Sequence, residues 1–397
     1  MSTPPTPVET ATGPLAGVLV ADFSRVLAGP LCSMFLADLG ATVIKVERPG
    51  SGDDTRQWGP PHIGSMSTYF SSVNRNKRSI ALDLADAGDR DLARRLAVRA
   101  DVLLQNFQPG RLARYGLDYD SLCKAHPGLV YCSISGFGAG AGADLPGYDF
   151  VVQAVGGLMS ITGESDGAAT KAGVALVDVL TGLHAAIGVL AALRSRDQDG
   201  KGQEVEVNLL SSLLSSLVNQ GAGFINGGGV PARMGNRHPS IAPYETLATR
   251  DAPLAVAVGN DRQFGLLTAE LGLPELAADE RFVTNSARVM HRQELVPLLE
   301  QALAGDSAEG WTRRFSAAGI ACGPVNDLPA AFRLATELGL EPVVTLPRPG
   351  TDAVATLASP LRLSRTPVSY RMPPPDLGAD SEHIRAWLAA DEPTVTD

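Results

Sequence analysis

Short apolar runs alternate with amphipathic stretches through the first half of the chain. Positions 18–23 (VLVADF) predict a strand. Positions 30–39 predict a helix, with Pro30 in its first turn and Gly40 as its stop. The pattern repeats, with strands at 41–47, 79–84, 101–107 and 129–135 and helices at 87–98 and 119–125. Strand–helix alternation at this spacing predicts a parallel sheet with helices on both faces, an α/β fold of Rossmann-like layout. The most apolar long stretch, 174–193, is interrupted by Asp178, Thr181 and His184. It predicts a buried helix, roughly 179–196, rather than a membrane span. A turn, a short strand at 204–207 and a helix at 209–223 follow, and glycine-rich INGGGVP (225–231) breaks the pattern. A strand at 254–258 and helices near 292–304 and 308–318 suit a small α+β region, with ACGPVN (321–326) as a turn. Beyond 340 the chain is Pro-rich and β-like, and it ends in a helix around 379–389.

Composition narrows the class. The chain is 44% hydrophobic but only 5% aromatic, so its core is aliphatic and too large for a disordered protein. Forty-two glycines point to tight turns and close backbone approaches, as an extended ligand site needs. A net charge of −10 with no basic block argues against nucleic acid as a partner. Cys32, Cys123, Cys132 and Cys322 form no C-x-x-C pair, which suits reduced thiols in a cytoplasmic protein. Residues 1–14 lack a basic n-region and an apolar h-region, so they read as a disordered leader and not a signal peptide.

Common catalytic signatures are missing. Gly136, Gly138, Gly140 and Gly142 do not give G-x-G-x-x-G, and no helix follows at once, which argues against a nicotinamide site. There is no G-x-S-x-G, no H-E-x-x-H and no P-loop, since Gly200-Lys201 runs into Gly202. The six histidines show no ligand spacing, so no metal is expected.

Two features remain. Arg25 follows the first strand, Arg48 ends the second, Arg56 lies in the next loop, and Arg75, Lys77 and Arg78 precede a strand. Arg111 and Arg114 follow another. Ligands of α/β sheets lie beyond the carboxyl ends of strands, so Arg25, Arg48 and the 106–114 loop share one rim. Such a rim suits bidentate binding of phosphates, or it is ordinary solvated surface. Asp178 stands where an apolar approach (AGVALVD) turns into a long helix. Spacing favours a helix N-cap there. A carboxylate aimed at a ligand, beside free amides able to stabilise an oxyanion, is compatible with that.

Taken together, these residues resemble a known family. DFSRVLAGPLCSMFLADLGATVIKVERPGSGDDTR (22–56) is similar to the opening of the class III CoA-transferases, which include formyl-CoA and carnitine CoA-transferases and the related α-methylacyl-CoA racemases. NRNKRSIALDL (74–84), ADVLLQNFQPGRLARYGLDY (100–119), GVALVDVLTGLHAAIGVLAAL (173–193) and AGIACGPVND (318–327) match further blocks in the same order. The resemblance implies a large Rossmann-like domain built from both chain ends (15–224 and 341–397), a smaller α+β domain (225–340), and an interlocked homodimer. By motif it makes Asp178 the catalytic residue and gives Arg48, Asn106, Phe107 and Arg114 to the CoA nucleotide. Ala28, Leu82 and Asp83 become backbone contacts, and Tyr148 a residue beside the thioester. It implies an acyl-CoA donor and a small carboxylic acid acceptor as partners, with coenzyme A as substrate and no tightly bound cofactor.

The implied chemistry is transfer through an acyl-aspartyl anhydride and an aspartyl-CoA thioester on Asp178, with backbone N–H groups near it on the oxyanions. Racemases need two acid–base groups. Their histidine is Tyr148 here, and the position matching their extra glutamate is Ala248, which favours the transferase over a racemase or a non-catalytic CoA-binding member. Three departures from the formyl-CoA branch are Pro146 for a lysine, Leu27 for a glutamine, and NRHPSIAPY (236–244) for a tetraglycine loop. They point to an acid larger or more apolar than formate or oxalate.

Overall fold

The computed structural model describes residues 12–348, 350 and 352–390, so most of the expected leader lies outside the described residues. The chain divides into two compact units. The larger takes the described residues through Leu158, Ala172–Gly228, and those from Glu341 onward; the smaller takes Met159–Lys171 and Gly229–Leu340.

The larger unit is built on a six-stranded sheet. Its strands are β1 (Leu19–Asp22), β2 (Thr42–Glu47), β3 (Lys77–Ala81), β4 (Val102–Gln105), β5 (Val130–Ser135) and β6 (Glu204–Asn208). All neighbours pair in parallel, in the order β3-β2-β1-β4-β5-β6. Successive side chains on a strand point to opposite faces, so a strand covered on both sides is apolar throughout. Val20, Val43, Val102 and Val130 thus face α1 (Ala28–Asp38) and the later helices, while Leu19, Ala21, Ile44 and Leu103 face α3 (Ala87–Arg99) and the C-terminal helix Ser381–Ala389. The strand order reverses between β1 and β4, which opens a crevice at their carboxyl ends.

The long apolar helix α5 (Leu176–Asp199) lies in this core, with Val177, Ala185 and Val189 fully buried. It is long and apolar enough to cross a membrane by length and composition. It packs closely on α1: a Cβ on Gly182 would come within 2.6 Å of the Ala28 carbonyl oxygen. Between α1 and α3 a one-and-a-half-turn helix, α2 (Thr68–Ser72), is capped by the Ser67 hydroxyl. The short helix α4 (Asp149–Val155) follows β5. The helix expected over 209–223 is broken into Leu209–Ser216 and Val218–Ile225, and Val218 carries a φ of +42° at the break.

The smaller unit has an antiparallel sheet of Tyr244–Ala248, Pro253–Ala257 and Ala321–Pro324. Helices bury Phe264, Phe282, Trp311 and Phe315 in its core. The turn expected at 321–326 is a correction: its first four residues form the third strand, with Cys322 opposite Val256. Gly323 and Pro324 suggested a turn, but strand pairing sets their conformation, and Pro324 ends the strand. Helices Asp261–Glu270 and Leu328–Glu337 were not anticipated from the periodicity.

Candidate active site

The crevice at the carboxyl ends of β1 and β4 holds a cavity of about 310 Å³, with Arg25, Ala28, Asn106, Phe107, Tyr148 and Asp178 in its lining. Residues 25–28 line it as the chain leaves β1, and 106–109 as it leaves β4. A second cavity of about 410 Å³ includes Arg48, Leu82, Asp83, Arg111 and Arg114 in its lining. Arg25 and Phe107 belong to the lining of both, so the two cavities are neighbours at these side chains. The site residues expected by motif thus all line these two neighbouring cavities, Asp178 the first and the arginines Arg48 and Arg114 the second.

Asp178 is not the helix N-cap, which corrects the spacing argument. It sits in the first turn of α5, and Ala175 occupies the cap position without a side-chain bond. The cap comes from another helix. Asp149 of α4 accepts hydrogen bonds from the backbone N–H of Val177 at 2.7 Å and of Asp178 at 3.3 Å, and from Gln153 Nε2 at 2.7 Å. These two N–H groups are already occupied, so the oxyanion donors expected at the start of this helix are not Val177 or Asp178. Burial, and then the nearby Asp149 carboxylate, lift the Asp178 carboxyl to about 7. Tyr69 of α2 borders the same spot: its phenol is pushed up to about 12, by burial first and then by Asp178. Neither residue is among the candidate site residues that the sequence singles out. Asp149 did carry a signal, since it follows Tyr148 in PGYDF at the start of an amphipathic turn.

Not all the basic residues serve the crevice. Arg56 forms a bidentate pair with Glu47 at 2.7 and 2.6 Å and lies 3.7 Å from the Phe70 ring centre. Arg75 pairs with Asp38, Lys77 with Asp22, and Arg78 with Asp380. Burial holds Lys77 down at about 8 despite its carboxylate partner. Asn106 lines the first cavity, but its amide is taken up by the chain itself: it donates to Arg25 O at 2.7 Å and accepts from Arg25 N at 2.9 Å. Of the glycines at 136–142, Gly136 gains a reason. Gly136 and Gly147 touch backbone to backbone at the cavity wall, where a Cβ on Gly136 would lie 2.6 Å from Gly147 Cα.

Two neighbouring cavities, one holding a partly buried carboxylate and the other lined by Arg48, Arg111 and Arg114, which have no carboxylate partner among the described residues, suit a long thioester with a phosphorylated tail. Comparison with known proteins agrees. The model of CoA-transferase family III matches residues 15–381. Succinyl-CoA:glutarate CoA-transferase of Mus musculus is 42% identical over 94% of this chain and 85% of its own length. Acetyl-CoA:oxalate CoA-transferase of Acetobacter aceti is 42% identical over 81% of this chain and 83% of its own. The crystal structure of a CAIB/BAIF family protein from Brucella suis, 42% identical, superposes with a TM-score of 0.83 over 95% of this chain and all of that one. The chain belongs to CoA-transferase family III; it is a CoA-transferase.

Proposed function

We propose that the protein moves CoA from an acyl-CoA to a dicarboxylate by covalent catalysis on Asp178. The observation that carries this is the placement of Asp178, its backbone N–H held by Asp149, in the lining of a cavity that adjoins an arginine-lined one. The carboxylate attacks the thioester carbonyl, the C–S bond breaks, and an acyl-aspartyl anhydride and CoA thiolate result. The thiolate attacks the aspartyl carbonyl and expels the donor acid as its carboxylate, leaving aspartyl-CoA. The acceptor carboxylate attacks that thioester, and the released thiolate then takes the acceptor's acyl carbon and frees Asp178. No water enters and no proton is consumed, so the thioester's free energy passes to the product without ATP. Arg48 and Arg114, which line the second cavity, hold the nucleotide phosphates in this reading. Incubation with acyl-CoAs followed by hydroxylamine or borohydride trapping tests the covalent step. An unmodified enzyme across a broad acyl-CoA panel would sink it.

The acceptor class follows from charge. Asp54, Asp144 and Asp178 line the first cavity, and Arg25 is the only cation among its lining residues. Arg25 lies 3.1 Å from Asp54 in a partly exposed pair. A dianionic acid entering beside these carboxylates needs that guanidinium for its distal end. Glutarate and oxalate, named for the two relatives, are both dicarboxylates; the loss of polar partners at Leu27 and Pro146 favours the longer kind. Arg25→Gln is expected to raise KM for a five-carbon dicarboxylate about tenfold, the loss of one charge-assisted contact, and to leave a monocarboxylate acceptor nearly unaffected. Equal changes for both acids would remove Arg25 from acceptor recognition.

The working unit is an interlocked homodimer. Large apolar side chains of the larger unit stand open, among them Phe150, Val155, Ile187, Val218 and Ile225. A second copy covering them gives a solution mass near twice 41.4 kDa by light scattering; a monomer at micromolar concentration would contradict this. All four cysteines are free, which suits the reducing cytoplasm.

A further inference from the structure

Around the segment that follows β1 lies a cluster of buried charges that the transfer chemistry does not use, with Asp53 also bordering the second cavity. Asp22, Lys45, Asp53 and Lys77 are all essentially inaccessible to solvent. Buried ion pairs are weak stabilisers, because desolvation offsets much of their attraction. What they hold is therefore the question, and three of the four converge on one segment. Asp22 accepts from the N–H of Ser24 at 2.9 Å and from its hydroxyl. Lys45 donates to Ser24 O at 2.8 Å. Asp53 accepts from the N–H of Val26 with both oxygens, at 3.2 and 3.3 Å. Lys45 ties the arrangement together: it lies 2.9 Å from Asp53 and stands opposite Asp22 in the β1–β2 register. Asn106, from the end of β4, brackets the peptide groups of Arg25 between these points.

The segment so held has an unusual conformation. Val26 has a φ of +71°, a left-handed value that a β-branched residue rarely adopts. Such a conformation persists only where its surroundings over-determine it. The far end of the segment is fixed as well, because Gly182 of α5 presses on the carbonyl of Ala28. Gly182 lies one helical turn after Asp178, on the same face. Val26, Leu27 and Ala28 line the cavity that Asp178 enters. The wall is thus held at Ser24–Val26 by the buried charges and packs at Ala28 on the helix that carries the nucleophile.

We propose that Asp22, Lys45, Asp53 and Asn106 form a cradle that holds the Val26–Ala28 wall in its strained shape and so sets the thioester against Asp178. Asp53 is the positioning residue at its centre. The proposal rests on the reading of Asp178 as the nucleophile of this cavity.

Asp53→Asn tests it, since it removes the charge that ties Lys45 to the segment while keeping an acceptor for Val26. The expected result is a kcat lower by about ten- to a hundredfold, the cost of a misplaced reacting group, with KM for acyl-CoA within about threefold of wild type. Adding Val26→Gly to the same chain is expected to restore most of that kcat, since glycine accepts a φ of +71° without strain and no longer needs the full cradle. A kcat of Asp53→Asn within twofold of wild type overturns the proposal, and so does a double variant no faster than Asp53→Asn alone. If Asp53→Asn does not fold, Asn106→Ala, which frees the peptide groups of Arg25 from the same cradle, is expected to show the same loss of kcat and the same recovery with Val26→Gly. Trapping separates the two readings: an adduct on Asp178 that still forms in Asp53→Asn, only more slowly, supports the cradle. No adduct in the wild type would remove the nucleophile assignment itself.

Discussion

Asp178→Asn is expected to lower kcat by about 10⁴-fold or more, the scale seen when a covalent nucleophile is lost, and to abolish the trapped adduct. An amide oxygen does not form the anhydride, while the shape of the side chain and its place on α5 are kept. Residual transfer within tenfold of wild type would rule out the covalent route. The same substitution is expected to make the protein more stable, with a defined pH dependence. The folded chain raises the Asp178 carboxyl from 3.8 to about 7, by burial first and Asp149 second. Between those values the folded state holds a proton that the unfolded state releases, so folding stability falls as pH rises through this window. Above about 7 the full cost of the buried charge stands, and below about 4 there is none. Asparagine has no such cost at any pH. The variant should therefore melt with the wild type at pH 4 and above it at pH 8, by a margin on the order of 2 kcal/mol. Wild-type kcat/KM has the opposite slope: it rises with pH through about 7, because only the carboxylate attacks. Calorimetry at the two pH values and a rate profile between pH 5 and 9 check both signs.

Much of this site was legible in the chain because its chemistry sits on local signals. Strand periods placed β1, β2, β4 and β5 to within a residue or two at most ends, and the switch-point rule then put Arg25, Arg48 and Arg114 on one rim. Spacing failed where a partner came from far along the chain. Arg75, Lys77 and Arg78 form a basic run, yet their carboxylates Asp38, Asp22 and Asp380 lie on three distant elements. Nothing in the run distinguishes a buried ion pair from a phosphate ligand. The same limit applies to Asp178. Its position before a helix looks like a cap, but the cap is Asp149, twenty-nine residues earlier in the sequence. The left-handed Val26 left no trace in the sequence, since no glycine or asparagine marks it; only the set of hydrogen bonds around it makes the conformation possible.

Asp149 carries the second large expected effect, and two substitutions separate its two tasks. It holds the first turn of α5 by accepting from Val177 and Asp178, and its charge is the second reason the Asp178 carboxyl is raised. Asp149→Ala removes both. It leaves the fully buried Val177 without its cap, at a cost of about 1–3 kcal/mol for an orphaned donor. It also lets the turn that carries the nucleophile drift, for which a kcat loss of about 10²-fold is expected. Asp149→Asn keeps an acceptor for Val177 and removes only the charge. The kcat/KM profile should then move to lower pH, since the carboxylate of Asp178 is no longer opposed by a neighbour. The new amide faces the Gln153 Nε2 donor, so Gln153 has to turn over. Its Oε1 then leaves the N–H of Ala172, which it now holds at 2.9 Å. A modest fall in kcat for Asp149→Asn, together with the acid shift, assigns the charge to tuning and the hydrogen bonds to positioning. An unshifted profile in Asp149→Asn would mean that burial alone sets the nucleophile's proton affinity, and the Asp149 charge would then have no part in it.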